Sequence, residues 1–118
     1  MSKSVLRDKS YTFAISVVKL SQFLQVERKE YVLSKQLLRS GTAVGALLRG
    51  AEFGQSKADF INKIYIALKE ANETAYWIDL LKDTELIDDE IYVKLNKSCK
   101  ELIKMLVSSL KTLKANNE

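Results

Sequence analysis

Four successive stretches of this chain set apolar side chains three or four positions apart, and no proline falls anywhere to break them. That spacing lines one face of a helix and cannot line one face of a strand, so the fold class is all-α. In the first stretch Phe13, Val17, Leu20 and Leu24 form the stripe, with Tyr11, Ile15 and Val18 widening it, over a helix from about 5 to 26. The second alternates steps of four and three through Leu33, Leu37, Ser40, Val44, Leu47 and Ala51, the seam of a helix packing at a shallow angle, from about 30 to 52. The third opens on the capping box Ser56-Lys57-Ala58-Asp59 and carries Phe60, Ile64, Ala67, Leu68, Ala71, Ala75, Ile78 and Leu81, from about 57 to 83. The fourth follows the acidic start Asp88-Asp89-Glu90 and carries Tyr92, Leu95, Cys99, Leu102, Leu106 and Leu113, from about 89 to 114. Short polar connections make sequential helices antiparallel neighbours. The prediction is therefore an up-down-up-down four-helix bundle, one domain over residues 1–118.

Composition narrows the function. The chain has no histidine and one cysteine, so it lacks the commonest general base and metal ligand and cannot form an internal disulfide framework. Cys99 falls on the core stripe of helix four, where it reads as a packed thiol and not a nucleophile. Gly41-x-x-x-Gly45 lacks the Gly-Lys-Ser/Thr ending of a phosphate loop and follows no strand. No catalytic constellation emerges, and no cofactor, metal or small-molecule substrate is expected. No leader or membrane-length apolar run is visible either, so the expected setting is the cytoplasm, away from membranes. The five tyrosines, at 11, 31, 65, 76 and 92, read as packing residues first and as base-stacking platforms only second.

Function must then lie in surfaces, and charge is unevenly spread. Residues 1–60 hold 10 Lys/Arg against 5 Asp/Glu, whereas residues 70–90 hold eight carboxylates against Lys82 alone. On helix two, Lys35, Arg39 and Arg49 share one stripe, which Arg28 joins if the helix reaches back to it, making these four the candidate phosphate contacts. Gly41 and Gly45, on a line with Leu38 and Leu48, would let another helix backbone approach closely, either within the bundle or from a neighbour. On helix three, Ile66, Trp77 and Leu80 fall off the core face beside Glu70 and Glu73, a composition suited to an oligomer surface. Arg39 with Glu70 or Glu73 is the favoured ion pair between subunits. The regular lysines of helix four (Lys94, Lys97, Lys100, Lys104, Lys111, Lys114) read as a solvated face.

The motifs of the middle helices carry a resemblance. Glu30-Tyr31-Val32-Leu33, the run from Gln36 to Gly45, Ser56 with Asp59-Phe60-Ile61, Ile66 to Ala71 and Glu73-Thr74-Ala75-Tyr76-Trp77 together resemble the four-helix bundle family of rRNA intervening-sequence proteins, over about residues 30–81. That family is related to accessory proteins of diversity-generating retroelements. The resemblance implies a homopentameric barrel of bundles, nucleic acid as partner and no catalysis. The chain departs from the family pattern at Ala43, Leu47 and Gly50, where the family usually has Ser, Asn and Glu.

Two functions from different classes follow. One is a homo-oligomer that binds RNA or DNA through its Lys and Arg side chains, in a salt-sensitive and weakly sequence-specific way. The other is a structural or adaptor oligomer whose Ile66, Trp77 and Leu80 contact a protein, such as a reverse transcriptase.

Overall fold

The computed structural model describes residues 3–54 and 56–116, and among them every regular element is a helix. Helix α1 spans Lys3–Glu27, α2 Leu33–Ala51, α3 Lys57–Asp83 and α4 Asp89–Asn116. Each packs on the next in sequence and α4 returns against α1, while among the described residues no diagonal pair of helices brings Cα atoms within 8 Å, which gives a bundle 49 Å long and about 20 Å across. The α2–α3 seam is the tightest and the α1–α4 seam the loosest.

The core follows the apolar spacing. Val17, Leu24, Leu37, Val44, Ile78, Leu81, Leu102 and Leu106 are wholly buried, each burial being worth about 1.5–3 kcal/mol. Alanines 67, 71 and 75 line the inner face of α3, which lets its backbone sit close to its neighbours. At the α2–α3 seam the hydroxyls of Ser40 and Thr74 are both buried and hydrogen-bonded to each other at 2.8 Å.

Helix α1 departs from the expected stripe. Tyr11, Ile15 and Val18 are exposed, at 56%, 42% and 36%, and the inner face is completed instead by buried Ser10 and Ser21. These small residues permit a close α1–α2 approach: Ser21 Oγ donates to the Ser34 carbonyl at 3.1 Å, and Gly45 faces the Ser10 carbonyl. Larger apolar groups there would hold the helices apart.

The start of α2 also differs, at Leu33 and not near 30. Lys29 takes φ 55°, which folds the chain back so that the Glu30 N–H donates to the Leu24 carbonyl at 3.0 Å. The Glu30 carboxylate then accepts from the N–H groups of Val32, Leu33 and Ser34 at 3.2, 3.0 and 2.8 Å. A side chain placed ahead of the helix thus satisfies its first free donors. At α3 the expected cap forms, with Ser56 Oγ accepting from the Asp59 N–H at 3.1 Å. Asp88 does the same for Ile91 at the start of α4, at 2.9 Å.

Candidate nucleic-acid interface

The four candidate phosphate contacts on and before α2 do not form one free stripe. Arg28 precedes α2 in the connecting loop, where its Nε donates to the Leu86 carbonyl at 3.3 Å and its guanidinium lies 5.2 Å from the Phe23 ring centroid. Because α2 starts only at Leu33, Arg28 is outside the helical register that would have placed it on the stripe. Arg39 reaches Glu70 at 3.2 Å and also pairs with Glu73, both within one chain. The α2–α3 seam brings these three groups together with no need of a neighbour. Arg49 rests over the Tyr11 ring at 5.7 Å, and Lys35 is exposed with no ion pair among the described residues.

The residues expected at an oligomer surface sort by depth. Ile66 is exposed at 38%, Leu80 is half-buried, and Trp77 is half-buried and packed against the core. The Trp77 indole Nε1 is enclosed with no hydrogen-bond acceptor among the described residues, and its ring meets that of Tyr76 edge-on at 5.1 Å. Gly41 abuts Val17 and Gly45 abuts Ser10, so the helix that approaches this line is α1 of the same chain. Beside Ile66, Ala43, Ala46, Leu47 and Gly50 line a groove of about 330 Å³ between α2 and α3, with Lys63 and Glu70. All three positions that depart from the family pattern fall in this one groove.

The strongest basic surface lies elsewhere. Lys97, Lys100, Lys104 and Lys111 are exposed on α4, and no ion pair among the described residues engages any of them. Lys94 is spaced from them by a pairing with Glu90 at 3.8 Å, and Lys114 lies over the Tyr65 ring at 4.9 Å. The one carboxylate within the run, Glu101, turns to α1 and pairs with Lys9 at 2.6 Å, which holds its carboxyl below the usual range. The lysine spacing itself was the visible signal for this ridge. Which neighbours leave it unpaired is a property of the packed bundle alone.

Chemistry within the core is closed off. Cys99 is fully buried, its Sγ donates to the Ala71 carbonyl at 3.3 Å, and burial pushes its thiol up to about 12. A thiol so protonated is no nucleophile near neutral pH. Among the described residues no cluster of acidic or sulfur ligands fits a metal ion, and no helix is long and apolar enough to cross a membrane.

The bundle thus defines a small helical protein with a lysine ridge along one outer edge and an apolar groove on another. Residues 3–108 match the family model for the 23S rRNA-intervening sequence protein, and the chain belongs to that family. It is also similar to a crystal structure from Bacteroides thetaiotaomicron, described as a protein with unknown function from the S23 ribosomal protein family. The two share 54% identity with a TM-score of 0.92, over 94% of this chain and 99% of that one. No curated protein matches the chain.

Proposed function

We propose that this chain is a non-enzymatic homo-oligomer that binds nucleic acid, RNA foremost, through the exposed lysine ridge of α4. The single observation that carries this reading is the set Lys97, Lys100, Lys104 and Lys111, cationic, exposed and without ion pairs among the described residues. Four unneutralised lysines on one helix favour a polyanion, since each phosphate contact releases condensed counterions. Membership in a family named for an rRNA intervening sequence supports the same partner. Of the candidates on and before α2, Lys35 and Arg49 lie diagonally across the bundle from this ridge, and Arg28 and Arg39 are already engaged within the chain.

Self-association rests on the α2–α3 groove, where Leu47 and Ile66 present apolar surface beside Lys63 and Glu70. The family resemblance implies five copies. Repetition around a ring would multiply a modest basic surface into useful avidity. The test is binding to RNA and to DNA across a salt series, with mass in solution measured alongside. Binding that weakens steeply with salt is expected, and more weakly still for Lys100→Gln/Lys104→Gln. No binding at low salt overturns the nucleic-acid reading, and a monomeric mass overturns the oligomer.

A further inference from the structure

The α3–α4 face combines the lysine ridge with a second pattern. Tyr65, Lys69, Asn72 and Tyr76 recur at steps of four, three and four along α3, and all four are exposed. Lys100, Lys104, Val107, Lys111 and Lys114 recur in the same manner along α4. The Lys114 ammonium over the Tyr65 ring shows that the two lines border each other. No carboxylate stands between Tyr65 and Tyr76 on the first line or between Lys100 and Lys114 on the second; the next position of the α3 line, Asp79, is exposed and accepts from the Tyr92 hydroxyl of α4 at 3.0 Å. Of the carboxylates alongside, Glu73 is drawn to Arg39 of α2 and Glu101 to Lys9 of α1.

We propose that this face binds single-stranded nucleic acid, with the rings of Tyr65 and Tyr76 stacking on unpaired bases while Lys69, Lys100, Lys104 and Lys111 hold the phosphates. The proposal rests on the nucleic-acid reading above and narrows its ligand. A lysine ridge alone would serve a duplex equally well. The rings decide: Tyr65 is 40% exposed and Tyr76 60%, about 16 Å apart along α3. In a duplex the base faces are already covered by their neighbours, so exposed rings beside a phosphate track have a use only where bases are unstacked. Tyr76 is braced from behind by the edge-on contact with half-buried Trp77, which holds its ring in place before any base arrives.

The test compares an oligouridine of about twelve nucleotides with a blunt RNA duplex of equal length, by fluorescence anisotropy at several salt concentrations. Oligouridine should bind more tightly. Tyr65→Leu/Tyr76→Leu should weaken it by about five- to 150-fold per lost ring and change duplex affinity less than about twofold. Tyr76→Phe, which keeps the ring, should bind as the parent does. Lys100→Gln/Lys104→Gln should weaken both ligands. If the tyrosine pair binds oligouridine unchanged while the lysine pair weakens it, single-strand stacking is overturned and the nucleic-acid reading stands. If neither ligand binds at low salt, both fall. A changed mass in solution for the tyrosine pair, with helicity retained, would make the face a contact between copies and overturn the stacking role.

Discussion

Gly41 of α2 sits so close to Val17 of α1 that a methyl group in its place would stand 2.7 Å from both Val17 Cγ atoms. Val17 is fully buried and β-branched, so it has neither room nor rotamers with which to yield. Gly41→Ala should therefore destabilise the bundle, an overpacking cost of about 1–3 kcal/mol outweighing the roughly 1 kcal/mol of helix propensity that Ala brings. Gly50 is the internal control, because beyond its own stretch of helix nothing among the described residues lies within 4 Å of a Cβ built there. Gly50→Ala should stabilise by about 0.5–1 kcal/mol. Chemical denaturation of both variants checks the pair. Equal effects would mean that propensity and not the α1–α2 approach governs position 41. A Val17→Ala background should recover most of the Gly41→Ala loss, since the two sites share one contact.

This contact marks the boundary of what the sequence discloses. The inner stripes of all four helices are legible because a 3.6-residue period survives any arrangement of neighbours. Phe13, Val17, Leu37, Val44, Ile64 and Leu102 all lie buried where that period puts them. Glycine spacing on α2 likewise signals a close helix, but only the packed bundle shows that the helix is α1. The misreading of Tyr11, Ile15 and Val18 has the same origin. Apolar side chains marked a wider stripe, while the close approach of α2 selected Ser10 and Ser21 for the interior. The candidate site was less legible still. The complementarity of Arg39 with Glu70 and Glu73 is visible on helical faces, but whether one chain or two supplies the partners is not. The alignment of Tyr65 and Tyr76 with the α4 lysines depends on the relative rotation of two helices, which no single-helix pattern encodes.

Glu30 makes stability depend on pH. Partial desolvation pulls its carboxyl upward, but the N–H groups of Leu33, Ser34 and Val32 outweigh it and leave the net value below 4.5. A carboxyl lowered on folding stabilises the folded state above its unfolded value, and that contribution is lost as pH falls through the lower folded value. Glu30→Gln should thus cost about 1 kcal/mol near neutral pH, the range expected for a helix-capping group. Below pH 4.5 the parent and the variant should converge. Thermal melts of both across this range provide the measurement, and a constant difference at every pH would show that the carboxylate charge is irrelevant to the cap.

Cys99 predicts a chemical silence. With the thiol fully buried, bonded to the Ala71 carbonyl and raised to about 12, a thiol reagent should react only through opening of the bundle. Its rate should follow denaturant concentration and be accelerated by destabilising variants such as Gly41→Ala. Because the thiol rises from 9.0 on folding, stability should be intact below that value and decline as pH climbs from 9.0 toward about 12. Rapid labelling of the folded chain near neutral pH would contradict the buried placement.

Glu85 identifies a turn that the sequence conceals. At the end of α3 the Leu86 N–H donates to the Leu81 carbonyl and the Glu85 N–H to that of Lys82, both at 2.9 Å, the two bonds of a Schellman cap. The cap requires a left-handed residue, and Glu85 supplies it at φ 63° where glycine is usual. A Cβ in that region costs about 1 kcal/mol. Glu85→Gly should relieve that strain, offset in part by the greater freedom it gives the unfolded chain, for a net stabilisation of about 0.5 kcal/mol. Glu85→Ala separates strain from charge, since it removes the carboxylate but keeps the Cβ. Strain predicts that only the glycine variant gains stability in denaturant. An equal gain from alanine would instead trace the effect to repulsion within the acidic α3–α4 turn, where Asp83, Asp88, Asp89 and Glu90 stand close in sequence.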